Sequence, residues 1–385
     1  MKLDKLLEGI EDVQIIGNKN VDITNVNSDS RLIAENGLFV AIVGYVLDGT
    51  KFISSAIKNG AVAVMVEEGT DIESLDLPED FAVIIVPKIR YAFAIACCNL
   101  HDNPSRKLKV IGVTGTKGKT TTTYMIKSLL EAHGLKVGLI GSIAIYIGDK
   151  KLEDTDRTSP EAFKYQEALD QMVKENVDVA ILEVSSQGMK LDRVTGIDFD
   201  IAVFTNLSEE HISPKEHANM SEYFNCKLDL IKRAKIGITN SDNDYTSIIK
   251  CILRDQNIKT YGLHANSDLM AKNIEITNKY VTFDLNLYGK DEQIQVSLPG
   301  EFTVYNALAA ISVAKEFGIT SDEIKKALKN FSVLGRNELV PNKLGLTIII
   351  DYAHTPSSLE SILKATKSYA KGKVICTWGV GRRPW

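Results

Sequence analysis

Short apolar runs dominate the first hundred positions of the chain and predict strands. They are rich in β-branched residues and bounded by turns, as in GLFVAIVG, AVAVMVEE and FAVIIVP (37–44, 61–68 and 81–87). Between the first two runs, TKFISSAIKNG has helical spacing and ends at Gly60, a common C-terminal cap. RYAFAIACCNLHDNPS predicts a second helix, which the Asn-Pro turn ends. The alternation predicts a small α/β domain over residues 1–107, with a linker at Pro104 to Lys109.

A second series of strands and helices predicts a larger domain over residues 108–334. It opens with KVIGVTGTKGKTTTTYMIKSLLEAHG, which reads as strand, glycine-rich loop and helix, with Gly134 as the terminator. Further apolar runs alternate with helices and favour a parallel sheet; they are KVGLIGS, VDVAILEVSS, DIAVFTN and IGITNSDN. The polar segment GDKKLEDTDRTSPE (148–161) predicts a loop. Residues 270–300 alternate polar and apolar positions, which predicts antiparallel strands before two more helices.

The last region, residues 335–385, holds barely one strand–helix–strand unit. LTIIIDYAHTP predicts a strand that leads into a helix, and KVICTW (Lys373–Trp378) predicts a final strand. That strand would leave an exposed edge, which is an aggregation hazard. The pattern as a whole predicts an α/β fold of three domains, with a parallel sheet in the central domain and an incomplete third domain.

Composition and charge narrow the class of protein. The 385 residues are 44% hydrophobic and 25% charged, as in ordinary globular chains of two or three domains. No apolar run approaches the roughly 20 residues of a membrane helix, and the amino terminus has no signal core. Five cysteines without a CxxC pair favour a reducing, cytoplasmic location. The net charge of −5, with interspersed signs, does not suggest a nucleic-acid partner.

The stretch GVTGTKGKTTT carries the strongest chemical signal. A glycine-rich loop between a strand and a helix can point backbone N–H groups at phosphate oxygens. Lys119 would then neutralise β- and γ-phosphates, and the Thr120 hydroxyl would bind Mg²⁺. The pattern is not strict, because Gly112 lies one place too early and Val113 stands where glycine is expected. A chance glycine-rich turn is the alternative interpretation.

Glu183 ends the apolar run VDVAILEVSS and could supply the carboxylate of a nucleotide–Mg²⁺ site. Taken alone, it could equally be a charge at a strand end that faces water. The loop and this carboxylate together predict an ATPase-like core. They leave a kinase, a GTPase and an acyl-phosphate ligase open.

Seven motifs in order resemble the Mur ligases, the ATP-dependent amino-acid ligases of peptidoglycan assembly. They are GTKGKTTT, LEVSSQG, VFTNLSEEH, YFNCK, FTVYNALAA, LGRNE and DYAHTP. Within the family, NSDSR, GLFVAIVG and DGTKFISSAIKNGAVAVMVEE are similar to the UDP-binding domain of the tripeptide-forming synthetases. The resemblance runs from about residue 20 to about residue 376. It implies a UDP-binding domain (1–107), an ATP-binding central domain (108–334) and a truncated, Rossmann-like amino-acid-binding domain (335–385).

The resemblance implies a catalytic site with metal ions. Lys119 and Thr120 would hold the ATP phosphates and one Mg²⁺, and Glu183 and His211 would bind a second Mg²⁺ together with Lys227. Lys227 matches a lysine carboxylated on its side-chain nitrogen, and a carbamate is an anionic oxygen ligand that Mg²⁺ accepts, whereas an ammonium repels the ion. From the sequence alone, Lys227 would be a solvated lysine on an amphipathic helix. His211 alone would be a capping or surface histidine.

The resemblance also implies contacts to both substrates. The ATP contacts are Gly115, Thr116, Lys117, Gly118, Lys119, Thr120, Thr121, Asn306, Arg336, Asp351 and His354. Asn306 alone would be a buried asparagine that caps a helical turn. The contacts to the muramoyl-peptide are Thr158, Ser159, Ser185 and Arg193, with Ser28, Ser30 and Arg31 around the uridine. Thr158 and Ser159 replace a Thr-Thr pair, and Lys117 replaces the usual asparagine, which are mild departures.

The implied reaction joins an amino acid to UDP-N-acetylmuramoyl-L-alanyl-D-glutamate. The peptide carboxylate attacks the γ-phosphate of ATP, ADP leaves, and the amine of the amino acid attacks the acyl phosphate. The third domain would close to shield that intermediate from water. Two alternatives stay open: a folylpolyglutamate synthase, which normally lacks a UDP-binding first domain, and a nucleotide-binding chain without ligase turnover. A monomer without membrane insertion is expected.

The tail WGVGRRPW resembles a shortened form of a family loop. Because Lys373–Trp378 would leave an exposed edge and the third domain is short, we expect the chain to be a C-terminal truncation that lacks the segment selecting the amino acid. On that expectation the sequence alone does not identify the amino acid that is added.

Overall fold

The computed structural model describes residues 1–44, 47–214, 216–264 and 266–379. Its strands, in chain order, are β1 Gln14–Ile16, β2 Asn25–Asn27, β3 Gly37–Val40, β4 Ala61–Glu67, β5 Ala82–Val86, β6 Lys109–Thr114, β7 Val137–Ile140, β8 Ala144–Ile147, β9 Lys150–Asp154, β10 Val179–Glu183, β11 Phe199–Phe204, β12 Ala234–Asn240, β13 Asn257–Gly262, β14 Leu269–Ile276, β15 Val281–Leu287, β16 Lys290–Val296, β17 Glu338–Leu339 and β18 Ile349–Ile350.

Helices alternate with these strands through most of the chain. They are α1 Leu3–Leu6, α2 Ile53–Lys58, α3 Ile89–Leu100, α4 Lys119–Ala132, α5 Ala162–Lys174, α6 Ser186–Lys190, α7 Met220–Arg233, α8 Tyr245–Ile252, α9 Glu301–Glu316, α10 Ser321–Lys329 and α11 Pro356–Tyr369. The predicted linker after Pro104 contains a short 3₁₀ turn, Pro104–Lys107.

The chain divides into two compact units. The first unit comprises Met1–Gly112, Gly138–Asp200 and Glu209–Arg233. The second unit comprises Val113–Val137, Ile201–Ser208 and the described part of Ala234–Trp385. Strands β6 and β11 are therefore divided between the units.

The first unit begins with a five-stranded sheet in the order β1-β5-β4-β3-β2. Strands β2 to β5 pair in parallel, and β1 is antiparallel to β5. Strand β4 sends Ala63 and Met65 into one buried cluster and Val64 and Val66 into another. Burial on both faces explains why the run AVAVMVEE is continuously apolar instead of alternating.

The rest of the first unit contains the strand order β6-β10-β7-β8-β9. Strands β7, β8 and β9 pair antiparallel. The loop predicted at 148–161 is wrong in part, because Lys150–Asp154 forms strand β9 and pairs with β8. The segment is polar since most of the β9 side chains are exposed or half-buried.

The second unit contains the strand order β16-β15-β14-β13-β12-β11. Strands β12, β13 and β14 are parallel, and β14, β15 and β16 are antiparallel, as the change of pattern near residue 270 predicted. Helix α9 is buried on nearly all sides and packs on α4, β12, β13 and β14. The predicted α/β fold class is thus confirmed, with a parallel sheet before the antiparallel strands.

The predicted strand Lys373–Trp378 is wrong. Within residues 373–379 the structure has no strand, and Ile375 and Trp378 are 81% and 70% exposed. A strand needs a partner for its backbone groups, and β17 and β18 pair with each other instead. The exposed edge that motivated the expected truncation is therefore absent, and most of the glycine-rich tail WGVGRRPW lies outside the described residues.

No helix in the described ranges is long and apolar enough to cross a membrane.

Candidate active site

The glycine-rich loop of the second unit joins β6 to α4 in a backbone path that only glycine fits. Gly115 has φ +148° and Gly118 has φ +83°. A Cβ at Gly115 would lie 1.9 Å from the Thr205 hydroxyl oxygen, and one at Gly118 would lie 2.4 Å from Asn306 Oδ1. These contacts place the buried Asn306 beside the loop, and its contact with adenine stays a prediction. The alternative of a chance turn does not account for glycines at both crowded positions.

Residues after β11 hold the loop in place. The Lys117 N–H donates to Asn206 Oδ1 at 2.9 Å, and the Thr205 hydroxyl donates to the Lys117 carbonyl at 2.7 Å. The Thr116 N–H donates to the Asn206 carbonyl at 2.9 Å. Sequence reasoning missed Asn206 as a loop anchor, although its position directly after the apolar run DIAVF was a usable signal.

Lys119 and Thr120 begin helix α4, where the helix dipole favours anions. Lys119 Nζ donates to the carbonyls of Gly115 and Thr116 at 2.9 and 3.0 Å, so the ammonium lies over the loop. The buried Thr120 hydroxyl accepts a hydrogen bond from Arg336 Nη2 at 3.3 Å. The structure therefore brings Arg336 to the loop, as the resemblance implied.

Asp351 and His354 lie in the segment that follows Arg336 in the fold. The Asp351 carboxylate accepts hydrogen bonds from the N–H groups of Asn337 and Ala353 at 2.7 and 2.8 Å. His354 Nδ1 lies 2.8 Å from the Tyr352 carbonyl oxygen. Both side chains are thus tied to nearby backbone, and their roles with ATP stay predictions.

Glu183 is fully buried at the end of β10 in the first unit. Its Oε1 accepts from the Ser142 N–H at 3.1 Å, and its Oε2 accepts from the Ser142 hydroxyl at 2.9 Å. The Ser142 hydroxyl also lies 3.0 Å from Thr158 Oγ1. The alternative of a water-facing charge at a strand end is wrong, and Ser142 is a partner that sequence reasoning missed.

Ser159 and Ser185 lie beside the end of β10. The Ser185 N–H donates to Ser159 Oγ at 2.9 Å, and Ser159 Oγ donates to the Glu183 carbonyl at 3.2 Å. The Ser185 hydroxyl caps α6 by accepting from the Gly188 N–H at 3.0 Å. Three of the predicted peptide contacts, Thr158, Ser159 and Ser185, are therefore in one hydrogen-bonded cluster with Glu183.

Arg193 belongs to the same cluster. It donates to the Ser159 carbonyl at 3.0 Å and pairs with Glu161 at 2.9 Å. Glu161 Oε1 also accepts from Arg157 at 2.8 Å, so one carboxylate holds two guanidinium groups. Burial lowers the pKa of Arg193, and the Glu161 charge opposes that shift. Arg157 also pairs with Asp156 at 2.8 Å, so two carboxylates balance the two guanidinium groups.

Lys227 is 1% exposed, so the interpretation as a solvated surface lysine is wrong. Its Nζ lies 4.5 Å from the centroid of the Tyr223 ring, one turn earlier on α7. The His211 ring lies 5.8 Å from the same ring. The structure therefore brings His211 and Lys227 together around Tyr223.

His211 is partly exposed and has φ +62°. Its Nδ1 lies 2.8 Å from Glu216 Oε1, so its Nε2 would be the atom that binds a metal. Lys190 ties the segment to α6 and α7, since its Nζ donates to the Glu216 carbonyl and pairs with Glu222. The exposed side chain agrees with the surface interpretation of His211, and its role as a metal ligand stays a prediction.

The described residues contain no group of three or more His, Cys, Asp and Glu side chains placed to hold a metal ion. Of the predicted set, Glu183 and His211 belong to these types, and the remaining protein ligands would be Thr120 and carboxylated Lys227. The buried carboxylate of Glu183 supplies the oxygen ligands that Mg²⁺ prefers, and His211 would add an imidazole nitrogen oriented through the other nitrogen of its ring. Lys227 fits it only after modification, because an ammonium cannot be a ligand.

The residues proposed around the uridine lie between β2 and β3. Arg31 is 85% exposed and pairs with Asp29 at 2.6 Å, which lowers the pKa of that carboxyl group. Ser30 is buried, and its carbonyl accepts from Asn59 Nδ2 at 2.8 Å. Ser28 is half-buried in the turn before them.

Comparison with known families places these features in context. The model of the Mur ligase middle domain matches residues 113–314. Models of the Mur ligase family catalytic domain and of the Mur ligase glutamate ligase domain match residues 22–97 and 335–383. The chain belongs to the Mur ligase family. The family that the seven motifs predicted is thereby confirmed.

One curated relative of this Mur ligase is UDP-N-acetylmuramoyl-L-alanyl-D-glutamate--2,6-diaminopimelate ligase 1 of Clostridium acetobutylicum. It is 41% identical over 387 residues, which cover 99% of this chain and 78% of the relative. The comparison does not support the expected truncation.

Solved structures show the same relationship. A structure described as UDP-N-acetylmuramoyl-L-alanyl-D-glutamate--2,6-diaminopimelate ligase has a TM-score of 0.78 at 25% identity, covering 94% of this chain and 74% of that one. A structure described as an FPGS–AMPPCP complex has a TM-score of 0.62 at 22% identity, covering 71% of this chain and 76% of that one. The second likeness shows the fold alone.

Proposed function

We propose that this Mur ligase is an ATP-dependent, ADP-forming amide ligase that adds 2,6-diaminopimelate to UDP-N-acetylmuramoyl-L-alanyl-D-glutamate. The observation that carries the proposal is the crowded phosphate loop with Lys119 above it. The relative that aligns with 99% of the chain supports the substrates, because its name specifies them. ATP as the nucleotide is supported by the structure described as an FPGS–AMPPCP complex, because AMPPCP is an ATP analogue and that structure has a similar fold.

The second unit would bind ATP. The loop from Gly115 to Thr121 would hold the phosphates, with Lys119 neutralising their charge and Thr120 beside a first Mg²⁺. Asn306 would contact the adenine, since it lies against Gly118. Arg336, Asp351 and His354 would contact the phosphates and ribose.

The first unit would hold the peptide substrate and a second Mg²⁺. Glu183, His211 and carboxylated Lys227 would be the metal ligands, and bound Mg²⁺ would offset negative charge on the phosphoryl group in transfer. The peptide would contact the cluster of Thr158, Ser159, Ser185 and Arg193. The uridine would contact Ser28, Ser30 and Arg31.

The reaction needs positioning and charge more than covalent help from the protein. The D-glutamyl carboxylate attacks the γ-phosphorus as ADP leaves, and Lys119 stabilises the charge that moves onto the β-phosphate. Arg193, whose guanidinium is held by Glu161 and the Ser159 carbonyl, would orient the acidic peptide. The amine then attacks the acyl carbon, and phosphate leaves.

We also propose the domain boundaries 1–107, 108–334 and 335–385. The three family matches, at residues 22–97, 113–314 and 335–383, each fall within one of these ranges. We propose a cytoplasmic location as well, since nucleotide-linked precursors and ATP are cytoplasmic substrates. A monomer without a nucleic-acid partner is also part of the proposal.

The test is phosphate release from ATP in the presence of the muramoyl-dipeptide and a panel of amino acids. We expect release with diaminopimelate that depends on all three substrates. Release with lysine but not diaminopimelate would change the proposed amino acid. Release with a folate and glutamate would favour a folylpolyglutamate synthase, and no release with any amino acid would contradict the ligase proposal.

A further inference from the structure

His217 is a buried histidine that the predicted site does not include. It is 1% exposed, and its Nε2 lies 2.9 Å from the Ser186 hydroxyl oxygen. Among the described residues its Nδ1 has no hydrogen-bond partner, because the nearest carboxylate oxygen, on Glu222, is 3.8 Å away. The imidazole is therefore fixed through one nitrogen.

The other contact of His217 is with Tyr223. The two ring centroids are 5.1 Å apart, and Tyr223 is fully buried. The same tyrosine ring lies under Lys227 Nζ and beside the His211 ring. Tyr223 thus contacts Lys227 on α7 and His211 in the segment before α7, which are both metal ligands in the proposed function.

These contacts form a continuous connection from β10 to α7. Ser186 opens α6 and comes three residues after Glu183, which ends β10. His217 joins Ser186 to Tyr223, and Tyr223 carries Lys227 one turn later on the same helix. The connection fixes the Lys227 side chain relative to the strand that bears Glu183.

We propose that His217 is a positioning residue for Lys227. It holds the Tyr223 ring through Ser186, and the ring holds the lysine side chain where a carbamate would serve as a metal ligand. The inference rests on the proposed function, in which Lys227 is carboxylated.

The chemistry explains why position matters. The neutral amine of Lys227 adds to the carbon of CO₂, forming an N–C bond, and the nitrogen releases a proton to solvent. A lysine side chain with free rotamers loses conformational entropy when it is ordered. A displacement of about 1 Å in a catalytic group can cost on the order of 100-fold in rate. The buried Tyr223 ring, held by His217, would limit both the entropy loss and the displacement of the Lys227 side chain.

The test combines substitutions at both ends of the hydrogen bond. H217F keeps a ring against Tyr223 and loses the bond, S186A loses the same bond from the other side, and H217Q keeps an amide near the Nε2 position. H101F is the matched control, because His101 is a largely buried histidine of the same unit that pairs with Asp170 at 3.2 Å. Each variant of the full chain is equilibrated with ¹³C-bicarbonate, and the lysine carbamate is measured by ¹³C NMR alongside kcat, KM for ATP and thermal unfolding.

We expect H217F and S186A each to lower the carbamate signal and kcat by roughly tenfold while KM for ATP stays unchanged. The double variant should be no worse than the worse single variant, since both remove one interaction. H217Q should retain part of the signal, and H101F all of it. If H217F fails to fold, S186A and H217Q carry the same comparison.

Unchanged carbamate and kcat in folded S186A and H217F would overturn the inference, as would additive effects in the double variant. A parent chain without any carbamate signal would overturn it too. The NMR measurement needs neither ATP nor peptide. A parent chain with the carbamate but without ligase turnover would therefore count against the proposed function and leave the positioning measurable.

Discussion

The phosphate loop and the Lys227 cluster are held in place by different kinds of interaction. The loop is a continuous stretch from Gly115 to Thr120 whose shape is set by two glycines and by Asn206. The Lys227 cluster gathers side chains from separate segments, in which a tyrosine ring contacts His211, His217 and Lys227. The first depends on backbone conformation and the second on side-chain packing.

The difference determines how each region should respond to mutation. In the loop, replacing a glycine restricts the backbone, and replacing Lys119 removes the ammonium that lies over the loop carbonyls. Either change should affect nucleotide binding directly. In the cluster, a change to a side chain should leave nucleotide binding intact and reduce transfer. Variants of His217 and Ser186, described above, test the cluster. Four further substitutions, from the largest expected effect to the smallest, test the loop at Lys119 and Gly118, the buried carboxylate of Glu183, and the helix cap at Glu323.

K119A should cause the largest loss. Lys119 Nζ lies over the loop carbonyls of Gly115 and Thr116, and its removal should lower kcat/KM by on the order of 1,000-fold. K117A is the control, because Lys117 holds the loop through its backbone N–H and carbonyl, which alanine keeps. Phosphate release measures both, and equal losses would mean that general positive charge, not the placement of Lys119, matters.

E183Q should remove charge from the first unit while keeping shape. The amide can still face the Ser142 N–H and hydroxyl, so stability should change by no more than about 1 kcal/mol. Activity should fall by at least about 100-fold, since a neutral amide is a poor Mg²⁺ ligand. S142A, which keeps the carboxylate, should lose less activity; a larger loss in S142A would contradict a metal role for Glu183.

G118A and G134A compare the two ends of helix α4. Both glycines have positive φ, +83° and +89°, but a Cβ at Gly118 meets Asn306 Oδ1 whereas Gly134 has no heavy atom within 4 Å. G134A should cost about 1–2 kcal/mol of stability from backbone strain alone. G118A should cost more and weaken binding of an ATP analogue by about tenfold. Calorimetry on both variants checks this, and equal nucleotide affinities would show that the loop tolerates the crowding.

E323Q should have the smallest effect, limited to stability and dependent on pH. A hydrogen bond from the Thr320 hydroxyl, in the capping box of α10, is the main cause that lowers the pKa of Glu323 to about 2. The ionised carboxylate therefore stabilises the fold fully above its ordinary value of 4.5, and that contribution is lost as the pH falls towards 2. The Tm difference from the parent chain should be largest near neutral pH and should vanish in acid. A difference that does not depend on pH would contradict this origin.

The sequence predicted the loop better than the cluster for a physical reason. Glycine, lysine and threonine at fixed spacing between a strand and a helix already specify a phosphate loop. Nothing in the local pattern around Lys227 distinguishes a buried lysine from a solvated one, because an amphipathic helix can place it on either face. The resemblance alone indicated Lys227, and the structure shows its burial.

Other features were not predicted, or were predicted wrongly, for similar physical reasons. His217 contacts Ser186 in a distant segment, and Tyr223 contacts three side chains of its own region, but hydrophobic period and motif spacing encode neither set of contacts. The strand β9 was predicted as a loop because its side chains are polar, although its backbone pairs with β8. The run Lys373–Trp378 has β-branched residues but no partner strand, so propensity alone was not sufficient.

Mass spectrometry of the reaction product tests the central claim most directly. The chain is incubated with ATP, Mg²⁺, UDP-N-acetylmuramoyl-L-alanyl-D-glutamate and diaminopimelate, with K119A as the control. The proposed function predicts a nucleotide-linked tripeptide and an equal amount of ADP, both formed on the order of 1,000-fold more slowly by K119A. ADP formation without the tripeptide, or no reaction by a folded parent chain, would contradict it.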